Sequence, residues 1–158
     1  MFYPCVRALV AFSLPGIFLA QLHAQVGDQK AEAIRQDHAT IQGKWKVTRL
    51  IDDGKESHDH DLQKIFVING NDGSWSLVGD GKLIAKGPST INPADTPKTI
   101  DFHITDENGK RVDFQGIYDL GASKRKLCFA PKVKGRPKAF EAPKGSGRIL
   151  VEFEKVRD

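Results

Sequence analysis

Cysteine and methionine are scarce in this chain, and it contains only one apolar run of any length. The 158 residues include two cysteines. Cys5 lies so close to the start that removal of an N-terminal signal would leave Cys128 without a partner, which excludes an intramolecular disulfide in the processed chain. The apolar run from Ala8 to Ala20 is shorter than the roughly 20 residues of a membrane-spanning helix. The composition therefore excludes a polytopic membrane protein.

Catalytic motifs are also absent from the sequence. It has no Gly-x-Ser-x-Gly turn, no His-Glu-x-x-His pair, no phosphate-binding glycine loop and no Cys-x-x-Cys. We therefore predict a protein that is not an enzyme and needs no cofactor. Nucleic acid is not a predicted partner, because the net charge is only +4 and no aromatic run beyond Phe140 accompanies the basic residues.

The start of the chain has the order of an export signal. Arg7 supplies a positive charge, the apolar run Ala8 to Ala20 follows, and Ala24 is a small residue suited to cleavage. We expect residues 1–24 to be removed, which lowers the net charge by one. The product, residues 25–158, would be periplasmic or secreted and would have no membrane span. An uncleaved anchor is the alternative.

The remainder alternates between short apolar patterns and turn residues, which predicts one domain. Residues 25–41 form a polar lead-in or a short helix, and residues 42–158 form the β domain. Asp-Gly or Asn-Gly pairs, typical of tight hairpins, begin at Asp53, Asp72, Asp80 and Asn108. Eight strands are predicted: Lys44 to Ile51, Gln63 to Asn69, Ser74 to Val78, Lys82 to Gly87, Thr99 to Thr105, Val112 to Leu120, Arg125 to Ala130, and Arg148 to Lys155.

Sequential hairpins favour an all-β fold, an antiparallel up-and-down meander of about eight strands. Ile100, Phe102 and Ile104 fall on one face of their strand, so each strand has one buried face. Such a sheet can close into a barrel, our preferred fold, or pack as a two-layer sandwich.

A barrel interior can be filled by side chains or leave room for one small ligand. If room remains, large aromatic side chains would line a site for a small apolar or amphipathic molecule. If the interior is filled, the chain would be a structural or interaction domain of the cell envelope. The aromatic residues concerned are Trp45, Trp75, Phe102, Phe114, Phe129 and Phe153.

Two other groups of residues are candidate sites. The connection from Pro131 to Gly147 is basic and could bind an anion, although a charged loop that stays in water is the alternative. Its cations are Lys132, Lys134, Arg136 and Lys138. His58 and His60 are spaced so that both imidazoles share one side of an extended segment, an arrangement that suits zinc or copper. With a third ligand brought there by the fold, from His38 or His103, the chain would be a metal-dependent enzyme. A polar loop without a metal is the alternative interpretation.

An ordered set of short segments gives the chain a family resemblance. They are Ile41-Gln42-Gly43-Lys44-Trp45-Lys46-Val47, Asp53-Gly54-Lys55, Pro97-Lys98-Thr99-Ile100-Asp101, Gly116-Ile117-Tyr118-Asp119-Leu120, Leu127-Cys128-Phe129-Ala130-Pro131, Arg136-Pro137 and Gly145-Ser146-Gly147. Together they resemble a family of small exported domains, of uncharacterised function, found in many copies in planctomycete bacteria. The resemblance implies an exported lipocalin-like β domain and no catalytic residues.

The Gly43-x-Trp45 opening also resembles the first-strand signature of lipocalins, whereas the later Thr-Asp-Tyr motif of that family is absent. This resemblance implies that Trp45 closes one end of the barrel beneath a basic side chain from the end of the last strand. Lys155 and Arg157 are the candidates. A core tryptophan that merely begins a strand is the alternative.

Overall fold

Nine antiparallel strands form a single sheet in the computed structural model, which describes residues 16–105 and 109–157. Eight of them close into a barrel, and the short β2 extends from β1 as an extra strand. The strands are β1 (Gly43–Asp52), β2 (Lys55–Glu56), β3 (Ile65–Asn69), β4 (Ser74–Gly79), β5 (Lys82–Asn92), β6 (Lys98–Thr105), β7 (Arg111–Leu120), β8 (Lys124–Pro131) and β9 (Ile149–Lys155).

The barrel closes through pairing of the first and last strands. β1 and β9 are aligned from Trp45 opposite Lys155 to Asp52 opposite Ile149, with a bulge after Val47. Every other pair in the barrel joins strands that are successive members of the meander. The predicted eight-stranded up-and-down barrel is therefore confirmed, and the sandwich alternative is not observed.

Turn residues connect the strands as their backbone preferences predict. Between β4 and β5, Asp80 and Gly81 have φ of 48° and 75°, which are the positive values that a two-residue type I′ hairpin requires. Gly109 after β6 also has a positive φ, of 77°. Its predicted turn partner Asn108 lies outside the described residues.

Strand β5 is longer than the sequence pattern predicts. The prediction ended it at Gly87, but the strand continues to Asn92. The second half pairs with β6, from Ser89 opposite Phe102 to Asn92 opposite Thr99. Pro88, which has no N–H to donate, lies where the pairing with β4 ends. A proline was therefore mistaken for the end of a strand.

The N-terminal helix is also longer than predicted. Helix α1 spans Gly16–Ile41 and continues through Ala24, the predicted cleavage point. It ends just before Gly43, whose φ of 107° does not continue a helix. Arg7 and the earlier part of the predicted signal lie outside the described residues. Within the part of the chain that is described, no helix is long and apolar enough to cross a bilayer. A second, four-residue helix, α2, covers Asp59–Leu62.

Buried side chains form two clusters on opposite sides of the barrel wall. Inside, Trp45, Val47 and Phe153 form one cluster with Leu62 and Val151. Outside, Ala142 of the connection between β8 and β9 packs against three strand residues: Ile117, Cys128 and Leu150. Cys128 is fully buried there, and burial raises the pKa of its thiol, so it packs as a small apolar side chain.

Candidate functional site

The barrel encloses an apolar cavity of about 380 Å³. This volume lies within the range of about 300–1,000 Å³ that is typical of small-molecule sites. All eight barrel strands contribute to it, and most of the side chains are aliphatic or aromatic. Examples, one from each strand in chain order, are Val47, Val67, Leu77, Ala85, Ile100, Phe114, Phe129 and Val151.

An aromatic cluster forms one wall of the cavity. Phe102 is at its centre, with its ring stacked on Phe114 at a centroid distance of 5.2 Å. Trp75 and Phe129 contact the same ring edge-on, at 5.6 Å and 5.0 Å. These side chains come from four strands, β4, β6, β7 and β8, so the hydrogen-bonded sheet fixes their relative positions.

Five of the six aromatic residues predicted to line the interior do so. Trp75, Phe102, Phe114, Phe129 and Phe153 contact the cavity. The sixth is Trp45, which is fully buried at one end of the barrel, where its indole N–H donates to the carbonyl of Ile41 at 2.7 Å. Trp45 therefore closes the cavity and does not line it.

Helix α1 covers the end of the barrel at which Trp45 lies. Its last turns reach several strands, and His38 and Ile41 line the cavity. The carboxylate of Asp37 accepts hydrogen bonds from the Lys98 ammonium at 2.8 Å and from the Tyr118 hydroxyl at 2.6 Å. Because these partners lie on β6 and β7, Asp37 attaches the helix to the side of the barrel opposite β1. We call this helix-covered end the closed end.

Two cations lie against Trp45. The Lys155 ammonium is 5.3 Å from the centroid of the indole ring and donates to the Thr40 carbonyl at 2.8 Å. The predicted contact between Trp45 and a basic residue of the last strand is thus found with Lys155. The guanidinium of Arg125 is closer, 4.7 Å from the ring of Trp45 and 4.4 Å from that of Phe153.

Arg125 was not predicted to be a site residue. It points into the barrel and lines the cavity, with the same alternation as Leu127 and Phe129 on β8. The two-residue spacing from Arg125 to Leu127 and Phe129 indicates an inward-facing side chain, but the charge of Arg125 favoured a place on the outer face. Burial lowers the pKa of Arg125 to about 9, so the guanidinium remains charged at neutral pH.

The cavity contains few other polar groups. The side-chain nitrogen of Asn69 is buried and has no hydrogen-bond partner among the described residues. Ser74 and Ser89 also contact the cavity near the closed end. None of the described residues that line it is acidic. The interior is therefore apolar with one buried positive charge.

The opposite end of the barrel has apolar residues that face solvent. Leu83 and Ile84, beside the β4–β5 hairpin, are 57% and 60% exposed, and Ile84 also lines the cavity. Val133, in the connection after β8 at the same end, is 92% exposed. We call this end the mouth.

The predicted anion-binding cations do not form one cluster. Arg136 folds back onto the barrel, where it donates to the carbonyls of Ile100 and Gly116 at 3.1 Å and 2.6 Å and to the carboxylate of Asp101 at 2.7 Å. Both terminal nitrogens of its guanidinium therefore already bind protein groups. Lys132, Lys134 and Lys138 are exposed.

The predicted metal ligands lie on the surface near α2. His58 is exposed, and the His60 ring, 94% exposed, is 3.2 Å from the neighbouring Asp61 carboxylate. Across residues 16–105 and 109–157, no group of three or more potential metal ligands is brought together. Neither His38 nor His103 joins His58 and His60 as a third ligand. His38 lines the cavity instead.

These features define a closed, antiparallel up-and-down barrel with an apolar interior cavity that is covered at one end by a helix. Comparison of the chain with protein-family models, curated proteins and solved structures finds no match. The resemblance to the exported planctomycete domains and to the first strand of lipocalins therefore stays a prediction from the sequence.

Proposed function

We propose that the protein is an exported, non-enzymatic binding module that holds one small apolar or amphipathic molecule inside its barrel. The cavity of about 380 Å³ carries this proposal. Buried apolar volume normally costs stability, because lining atoms lose dispersion contacts. A ligand that fills the space restores those contacts and removes its own apolar surface from water.

The cavity also favours this proposal over the two alternatives. An interaction domain with a filled interior has no need of an aromatic wall around empty volume. A metal-dependent enzyme at His58 and His60 would need further ligands, and none of the described residues supplies them. Export and the resemblance to the planctomycete domains rest on the sequence pattern alone and form part of the proposal.

The first test is native mass spectrometry of protein purified from an exporting host without detergent, with an organic extract analysed in parallel. We expect a discrete added mass that passes into the solvent. The polypeptide itself should begin at Gln25 if the signal is cleaved after Ala24. A polypeptide that still begins at Met1 would contradict cleavage without affecting the binding proposal.

A pair of variants locates the ligand. Leu77→Trp enlarges a side chain that lines the cavity, whereas Val78→Trp makes a similar change at the next residue, which does not line it. We expect Leu77→Trp to abolish the added mass and Val78→Trp to retain it. A wild-type protein with no added mass that also binds neither dodecanol nor dodecanoate in a calorimetric titration would contradict the proposal.

A further inference from the structure

We infer that Arg125 is the binding residue for a carboxylate, and that the ligand is an amphipathic acid whose head group lies at the closed end while its apolar chain occupies the cavity. This inference rests on the proposed function and adds the chemical class of the ligand. It follows from how Arg125 is buried, from the charges around it and from the shape of the apolar space.

The half-buried Arg125 side chain faces the cavity, and no described residue forms an ion pair with it. Its Nε–H is inaccessible to solvent and has no hydrogen-bond partner among the described residues. A charge that is removed from water and left unpaired destabilises a folded protein strongly, as the breaking of a buried ion pair does. Two other cations packed against the barrel have acceptors: Lys155 binds the Thr40 carbonyl, and Arg136 binds two carbonyls and Asp101.

The surrounding rings account for only part of this arrangement. The faces of Trp45 and Phe153 attract the cation, and this attraction is stronger where water is excluded. Ring faces do not replace the in-plane acceptors that the N–H groups of a guanidinium require. A carboxylate does, since its two oxygens match the planar fork of arginine.

The charges that line the cavity favour an anion, since Arg125 faces inward and Lys126, which also lines the cavity, is exposed to solvent. No described residue that lines the cavity is acidic, so Arg125 has no competitor for a ligand carboxylate. Asn69 lies at the same end, because it pairs with Gly43, two residues before Trp45. Its side-chain nitrogen is a second buried donor that the described residues leave unpaired.

The rest of the cavity suits an apolar chain. From Arg125 the lining continues through Leu127 and Phe129 along β8, towards the mouth. Ile84 contacts the cavity and is also exposed at the mouth. An acid bound by its head group at the closed end would therefore extend its chain past the aromatic wall towards solvent.

The test compares dodecanoate with dodecanol, which has the same chain and a neutral head group. Both are titrated calorimetrically into the full chain at neutral pH, below the concentrations at which they aggregate and after bound lipid has been removed. We expect wild type to bind dodecanoate at least about tenfold more tightly, since charge-assisted hydrogen bonds are the strong ones. Arg125→Gln should weaken dodecanoate binding by that factor and leave dodecanol binding unchanged.

Two further variants complete the test. Lys124→Gln removes the same charge from an exposed neighbour on β8 and should keep the full preference for dodecanoate. Arg125→Lys keeps the charge without the planar fork, so dodecanoate binding should weaken several-fold while dodecanol binding does not change. This variant decides the matter if Arg125→Gln does not fold, as judged by near-ultraviolet circular dichroism.

Each other outcome has a defined meaning. Equal affinity of wild type for the two probes, or an undiminished preference in Arg125→Gln, would overturn the inference and leave the proposed function standing. Arg125 would then be a structural cation held between two rings. Failure of both probes to bind would overturn the proposed function and this inference with it.

Discussion

Single polar residues hold the helix onto the barrel at the residue scale. Asp37 accepts from Lys98 and from Tyr118, which is only 6% exposed. Burial, followed by the hydrogen bond to Asp37, raises the pKa of the Tyr118 phenol, so the hydroxyl stays protonated and acts as a donor at any ordinary pH. The position of α1 over the cavity therefore depends on few atoms.

Tyr118→Phe tests this attachment. The change removes a hydroxyl that donates to a carboxylate in a partly buried place, and we expect the free energy of unfolding to fall by about 2 kcal/mol. Thr99→Val is the matched control, because the Thr99 hydroxyl also donates to a carboxylate, that of Asp95, but at an exposed site. Its loss should be below about 0.5 kcal/mol. Equal losses in urea titrations of the two variants would contradict the proposed role of Tyr118.

The connection between β8 and β9 is the most informative feature at the scale of elements. Pro137 and Ala142 are buried, and Arg136 binds the backbone of β6 and β7. Gly116, one of these acceptors, also lies close to β8, because a Cβ there would lie 2.9 Å from the Cys128 carbonyl oxygen. A segment that the sequence predicted as a basic connecting loop is thus a folded cover on the outside of the barrel.

Arg136→Lys should loosen this cover while keeping its charge. The lysine ammonium cannot reproduce the fork that binds Gly116, Ile100 and Asp101. We expect chymotrypsin to cleave after Phe140 about tenfold faster, which corresponds to a loss of about 1.4 kcal/mol from the closed form. Lys138→Arg, which replaces lysine by arginine at an exposed site, should leave the rate of chymotrypsin cleavage unchanged. Unaltered cleavage of Arg136→Lys would show that Arg136 does not hold the cover.

Closure of the barrel is a property of the whole molecule, since it joins strands from opposite ends of the β domain. Next to that seam, the Asp53 carboxylate accepts from the Gly147 N–H at 2.7 Å. The backbone N–H groups of Gly147 and Gly145 hold the pKa of Asp53 below its ordinary value of 3.8. Because the pKa of Asp53 is lowered in the folded state, its ionised carboxylate stabilises the fold at pH values above the ordinary pKa. This stabilisation is lost as the pH falls below that value.

The acid stability of the whole chain should therefore depend on Asp53. Asp53→Asn keeps a residue that tolerates the φ of 48° at this position and removes the charge. We expect the difference in free energy of unfolding between wild type and this variant to shrink as the pH is lowered from about 6 to about 3. Asp52→Asn, at the exposed neighbour, controls for net charge. A difference that does not vary with pH would contradict the role assigned to Asp53.

Much of the fold could be predicted because its signals are local. The alternation in Ile100, Phe102 and Ile104 and the pairs such as Asp80-Gly81 depend on backbone geometry over a few residues. The errors arose where distant contacts override that geometry. Pro88 was taken as a strand end, although β6 continues the pairing beyond it. Arg136 was treated as a free cation, although the register of β6 and β7 brings three acceptors to it.

By itself, the sequence determined the number and order of the barrel strands, their hairpin turns and the set of aromatic residues that face inward. Only the tertiary structure decided that the interior keeps a cavity, that α1 covers one end of it, and that Arg125 lies inside with no acidic neighbour. The physical reason is that alternation specifies which face a side chain occupies. The volume left inside a barrel, and the partners of a buried charge, depend instead on how all the strands close around it.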